Sequence, residues 1–287
     1  MTTAQPLPEP ARALLARYPS SDPAWPGSAS AEPDRNLLAE RFRGSMLWGA
    51  VGDAMGRPTE ARSWRRIREQ WGPDGVTGLH PWRGWRGGPT GTWTDDTQLT
   101  IEVAKTILEA DGHVDPERLS QRFRAWLPNG RGKGRATTEA ILAMDGGAPW
   151  WEAGPAVNSA GNGAAMRAAP VGLAWSFAPA AGPLIREAVV SALPTHAHPV
   201  GVAGAVAIAA GVAWCIRCGD RSIEPGSFLE FVADAVVGLE PRPTPLRSDP
   251  TEAVTLHDRI LEVGELLDVE PKEVFLERLW SGAFALE

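Results

Sequence analysis

The chain has 287 residues, 43% apolar and 22% charged, with 31 Gly, 26 Pro, 13 Trp and a single Tyr. That length supports one large domain or two small ones, and the balance excludes collagen-like and disordered classes. Acids exceed bases by 35 to 28, a net charge of −7, which argues against wholesale docking on nucleic-acid phosphates.

Residues 1–33 are rich in Pro, Ser and Ala and lack both a basic start and an apolar run. They read as a flexible N-terminal arm and not as a signal peptide. Asp34 can cap a helix whose apolar positions Leu38, Phe42, Met46 and Val51 recur at near-helical spacing. A second helix is expected from Asp95 through Leu99, Val103 and Ile107 to a stop at Asp111-Gly112. A third spans Pro116–Trp126, with Leu119, Phe123 and Trp126 on one face. Further helical runs are Thr137–Met144, Pro183–Leu193, Val200–Arg217, Phe228–Val237, Glu252–Leu267 and Pro271–Leu279. No segment alternates convincingly at period two. The expected fold is all-α, a single compact multi-helix domain over residues 34–287.

The stretch Pro199–Ile216 carries no charge and reaches transmembrane length. Its bulk is Ala, Gly and Val, and a helix apolar on every side suits the centre of a helical globule. A buried helix is expected, with no membrane. Two cysteines, Cys215 and Cys218, are too few for a secreted disulfide scaffold, so the cytoplasm is the expected compartment. Their C-x-x-C spacing lacks the second pair of a zinc site and ends an apolar run instead of opening a helix after a strand.

The chemistry-bearing residues lie between helices. Thr94-Asp95-Asp96-Thr97 stands directly before an apolar run. Neighbouring carboxylates raise each other's proton affinity unless a cation or N–H donors neutralise them. At an irregular helix entrance the Thr94 hydroxyl and both carboxylates can supply hard oxygen ligands to Mg²⁺. Ordinary helix capping accounts for the same residue types equally well. Asp53 reads as a helix residue with a structural hydrogen bond. Glu60, just past the Gly and Pro that break the first helix, is either a general base facing a cleft or a solvated loop acid. Gly130-Arg131-Gly132-Lys133-Gly134 offers N–H groups to phosphate near a helix start, without P-loop spacing and without a preceding strand. His196 and His198 can serve as ligands or as hydrogen-bonded loop spacers.

Five segments occur in one order: Arg43-Gly44 with GAVGDAMGRPTE, then GTWTDDTQLT, GRGKGRATT, GNGAAMRAAPVGL and THAHPVG. Together, over about residues 36–286, the chain resembles the ADP-ribosylglycohydrolase family, which includes dinitrogenase reductase-activating glycohydrolase. The resemblance implies a metal-dependent hydrolase that cleaves the N- or O-glycosidic bond between ADP-ribose and a protein side chain or small acceptor. It implies Thr94, Asp95 and Asp96 as ligands of a two-ion Mg²⁺ or Mn²⁺ centre that grips ribose hydroxyls. Glu60 would activate or position the attacking water. Gly132, Gly134, Ser159, Gly161 and Asn162 would line the diphosphate path, with His196 against the nucleotide. The implied partner is an ADP-ribosylated protein or small ADP-ribose conjugate, and not nucleic acid. Family members close the metal centre with a second acidic motif, Asp-x-Asp-Thr or Asp-x-Asp-Ser. Residues 240–287 hold none, because Asp249, Asp258 and Asp268 stand far apart. The resemblance thus implies a C-terminally incomplete chain with an incomplete metal site, and an alternative role as a catalytically impaired ADP-ribose-binding module.

Overall fold

A computed structural model describes residues 7–25, 34–60, 62–82, 87–155, 160–219, 221–245 and 253–269. Among these the fold is all-α. The helices are α1 (Glu9–Leu15), α2 (Arg35–Gly56), α3 (Trp64–Trp71), α4 (Asp95–Glu109), α5 (Pro116–Trp126) and α6 (Arg135–Asp145). They continue with α7 (Trp150–Ala153), α8 (Ala169–Trp175), α9 (Gly182–Ala192), α10 (Pro199–Cys218), α11 (Pro225–Val236) and α12 (Leu256–Glu265).

Local chemistry sets most of the helix starts. Asp34 accepts from the Asn36 N–H at 2.8 Å, and Asp115 accepts from the N–H groups of Glu117 and Arg118. Pro116, Pro199 and Pro225 take first-turn positions, where a missing N–H is harmless. The charge-free segment becomes α10, the axis of the core, with α8, α9 and α11 packed around it. It is long and apolar enough to cross a membrane, with mean hydropathy 2.0, yet 67% of that window is buried inside the fold. Its small residues let neighbours approach closely. A methyl group on Gly172 of α8 would fall 2.4 Å from the Ala209 carbonyl oxygen of α10.

Three expectations change. Residues 8–25 are not a flexible arm: α1 buries Ala11 and Leu15, and Tyr18 donates a buried hydrogen bond of 2.6 Å to the Ala197 carbonyl. Apolar docking of Ala11, Leu15 and Tyr18 outweighs a composition that looks loop-like. The helix expected from Glu252 begins at Leu256, because Ala253–Val254 (β2) pairs antiparallel with Thr244–Pro245 (β1). Short helices α3, α7 and α8 occupy stretches where none was expected. The run Pro271–Leu279 lies outside the described residues.

Candidate active site

The site is built on the entrance of α4. Thr94 caps the helix: its hydroxyl oxygen accepts from the Asp96 N–H at 3.3 Å and donates to Asp53 Oδ1 at 2.8 Å. Asp53, in the last turn of α2, also accepts through Oδ2 from the N–H groups of Thr94 and Thr97 and from the Thr97 hydroxyl at 2.5 Å. One carboxylate thus receives four donors and clamps α2 to the first turn of α4. The structural hydrogen bond expected of Asp53 is this clamp.

Asp95 and Asp96 lack such a set of donors. Asp95 is buried, and burial followed by the charge of Asp96 pushes its carboxyl up to about 7, opposed by hydrogen bonds from its own N–H and that of Gly134. Burial and then the Asp53 charge raise Asp96, while the Thr94 hydroxyl and Arg57 pull it down. Gly132 presses against the pair at φ +64, and a Cβ there would lie 2.7 Å from Asp95 Oδ1. Only glycine lets backbone pass this close in a left-handed conformation.

Arg57 follows α2 in a 3₁₀ turn at Arg57–Thr59. Its guanidinium pairs with Glu60 Oε2 and lies 3.9 Å above the Trp82 ring. Glu60 itself is 58% exposed, at the cleft rim. His196 is buried at the cleft floor, and burial, then the charge of Arg167, pushes its imidazole down to about 3. His198 is a helix cap: its Nδ1 accepts from the Val200 N–H.

Glu60, Thr94, Asp95, Asp96, Gly132, Gly134, Gly161, Asn162 and His196 all line one cleft of about 620 Å³. Ser159 lies outside the described residues. A second groove of about 680 Å³ adjoins it through Arg57, Thr94 and Gly132, walled by Trp82, Trp93, Arg131 and Lys133. Arg57 and Arg167 were not singled out from the sequence. Arg167 had a signal, a lone charge inside the small-residue run GNGAAMRAAP.

Among the described residues no three carboxylate, imidazole or thiolate groups converge as a metal site. Asp53 is engaged by its four donors, which leaves Asp95, Asp96 and the Thr94 oxygen. Two carboxylates and a hydroxyl are hard oxygen donors, a set that suits Mg²⁺ when water and substrate complete its shell. The elevated proton affinity of the pair is the electrostatic stress that such an ion offsets.

The sequence model of the ADP-ribosylglycohydrolase family matches residues 34–287. The chain belongs to this family. It is 37% identical over 184 residues to an uncharacterized protein of Archaeoglobus fulgidus, covering 61% of this chain and 56% of that one. It is 28% identical to ADP-ribosylhydrolase ARH3 of Xenopus tropicalis, covering 70% and 56%. It is 31% identical to the ADP-ribosyl-[dinitrogen reductase] glycohydrolase of Rhodospirillum rubrum, covering 59% and 55%. The chain therefore spans little more than half the length of these relatives. A solved structure described as an ADP-ribosylglycohydrolase-related protein complex superposes with TM-score 0.53 at 26% identity, covering 88% of this chain and 73% of its own.

Proposed function

We propose that this chain is a metal-assisted hydrolase that releases ADP-ribose from a modified protein side chain or small acceptor. The observation that carries the reading is the gathering of nine residues from five separated segments into one cleft. Relatives named for ADP-ribosylarginine and for ADP-ribosylated dinitrogen reductase make a protein conjugate the leading substrate class.

In this reading Thr94, Asp95 and Asp96 hold a divalent ion. Bound Mg²⁺ or Mn²⁺ would orient and polarise the ribose hydroxyls beside the scissile bond. Glu60, paired with Arg57 at the cleft rim, would position the attacking water. Attack at the anomeric carbon develops positive charge on the ring, which the cleft carboxylates stabilise. Gly134 begins α6 without a side-chain cap, so the first-turn N–H groups are available to a diphosphate. Asn162 and His196 add polar groups to the cleft lining. We place the protein in the cytoplasm, where Cys215 and Cys218 remain thiols.

The test is ADP-ribose release from mono-ADP-ribosylated arginine and serine peptides, with and without Mg²⁺. Metal-stimulated release supports the proposal, and absence of release under both conditions refutes hydrolysis by this chain. A second reading, an ADP-ribose-binding module with impaired turnover, draws on the engagement of Asp53 by four donors, which leaves only Asp95 and Asp96 among the clustered aspartates for an ion. Calorimetric binding of ADP-ribose without turnover would select it.

A further inference from the structure

Arg167 heads the fully buried side chains, with 0% exposure, yet hydrogen-bonds to no carboxylate among the described residues. Its Nη2 donates to the Ser191 carbonyl at 3.1 Å and to Thr195 Oγ1 at 2.7 Å, and its guanidinium lies 4.4 Å from the Phe123 ring centre. Nε and Nη1 have no hydrogen-bond partner among the described residues.

The chain of contacts leads into the cleft. Thr195 is also 0% exposed, and its Oγ1 lies 2.9 Å from Nδ1 of His196. The Thr195 oxygen uses a lone pair for Arg167, which can only donate. Its own proton then has one acceptor among the described residues, the Nδ1 of His196. Donating that proton to Nδ1 places the ring proton on Nε2. That nitrogen points past Gly161 and Gly163. A methyl on Gly163 would fall 2.8 Å from Nε2 and 2.6 Å from Cε1. Nε2 has no hydrogen-bond partner among the described residues, although His196 is only 2% exposed and lines the cleft. An unpaired N–H on a buried ring, facing a cavity, is a donor matched to an oxygen of a ligand.

We propose that Arg167 and Thr195 are positioning residues that lock His196 as a neutral Nε2–H donor to a phosphate or hydroxyl oxygen of the ligand. Arg167 presents its charge to the Thr195 oxygen, which orients the hydroxyl proton toward Nδ1 and makes it the stronger donor. Burial and the same charge disfavour imidazolium, in keeping with a ring that binds and does not transfer protons. The ligand's identity as ADP-ribose rests on the function proposed above, whereas the lock itself does not.

The experiment is nitrogen-15 NMR of the full chain labelled at histidine, with the His196 signals assigned by their loss in His196→Gln. The expected spectrum shows an unprotonated Nδ1 and a protonated Nε2 before any ligand is added. Thr195→Ser keeps that signature and binds ADP-ribose within about twofold of wild type. Thr195→Val gives a mixture of tautomers and binds about tenfold more weakly, the loss expected for one well-placed hydrogen bond. A protonated Nδ1 in the wild type, or a wild-type spectrum and affinity in Thr195→Val, would overturn the lock. If Thr195→Val does not fold, the wild-type and Thr195→Ser spectra decide by the same criterion. If the tautomer is as expected and ADP-ribose binds to no form, the lock stands and the ligand assignment falls.

Discussion

Replacing Gly132 with Ala puts a methyl group where the structure leaves room for none. At φ +64 an L-residue is disfavoured by about 1–2 kcal/mol, and the new Cβ falls 2.7 Å from Asp95 Oδ1. A comfortable carbon–oxygen contact is about 3.3–3.6 Å, so carboxylate or loop must yield by more than half an ångström. Asp95 has little freedom, because it is buried and takes the Gly134 N–H. The conformational penalty therefore falls on stability and the displacement on function. The expected loss is about 1–2 kcal/mol, or about 2–5 °C in Tm for a chain of this size. If Asp95 acts as proposed, its displacement on this scale should lower turnover by about a hundredfold. Gly134→Ala is the control. Gly134 sits at φ −64 with its nearest would-be contact, Thr137 Oγ1, at 3.9 Å, so the change stays within about 0.5 kcal/mol. Scanning calorimetry on both variants and an ADP-ribose-release assay on Gly132→Ala read the two effects separately. A Gly132→Ala protein that melts and turns over like wild type, or a Gly134→Ala protein that loses more stability, would refute the reasoning.

Tyr18→Phe removes the buried bond to the Ala197 carbonyl and should lower stability by about 1 kcal/mol by denaturant titration. Burial raises the Tyr18 phenol above its ordinary 10.0, against the Arg17 charge, so the unfolded chain loses that proton first. The contribution is complete below pH 10 and is lost as pH rises through the folded value. Tyr18 is the only tyrosine, so ultraviolet absorbance follows its ionisation directly, and titration at the free-phenol value in the folded protein would contradict its docking. Gly172→Ala should destabilise, because a methyl 2.4 Å from the Ala209 carbonyl brings an overpacking penalty of about 1–3 kcal/mol. That exceeds the helix-propensity gain of roughly 1 kcal/mol, and a more stable variant would show the approach of α8 to α10 to be looser. Without metal, Asp95→Asn should raise Tm by relieving a buried, repelled charge while abolishing any response to Mg²⁺. Asp53→Asn should lower Tm through a loss of stability of about 1–3 kcal/mol, since an amide NH₂ would face hydrogen-bond donors; Tm shifts of the same sign in both would defeat the distinction.

Helices were legible where a cap and the first apolar turn adjoin in sequence, as at Asp34, Thr94 and Asp115-Pro116, and α5 coincides with its expected bounds. α1 and α8 were not, because seven residues carry too little periodicity to nucleate alone and are held by distant partners. The Tyr18 bond crosses 179 positions of chain, a relation that no local pattern encodes. The two-residue strands have no period to read at all. The site divides along the same line. Acids and glycines grouped in short motifs could be named in advance, whereas Arg57 over Trp82 and Arg167 on Thr195 exist only after folding.

That division also says how the cleft's charges work together. Asp53 is held by four donors, and the N-terminal dipole of α4 favours anions at residues 95 and 96, yet burial and the neighbouring acid charges still hold both of those carboxyls high. The nearby guanidinium groups act on the pair only through space, Arg57 on Asp96 and Arg167 on Asp95, while their hydrogen bonds and ion pairs go to Glu60, Ser191 and Thr195. The unrelieved stress is therefore local to Asp95 and Asp96, and a cation placed there would also meet the hydroxyls of a bound ribose. Cation and ligand should then bind cooperatively, and linkage requires the coupling to be reciprocal. The factor by which saturating Mg²⁺ tightens ADP-ribose must equal the factor by which saturating ADP-ribose tightens Mg²⁺, both measured by calorimetry. Asp95→Asn should reduce both factors to one while leaving metal-free ADP-ribose affinity within about threefold of wild type. Independent binding of the two in the unsubstituted protein would separate the acid pair from the ligand and remove the physical basis for placing a cation at the entrance of α4.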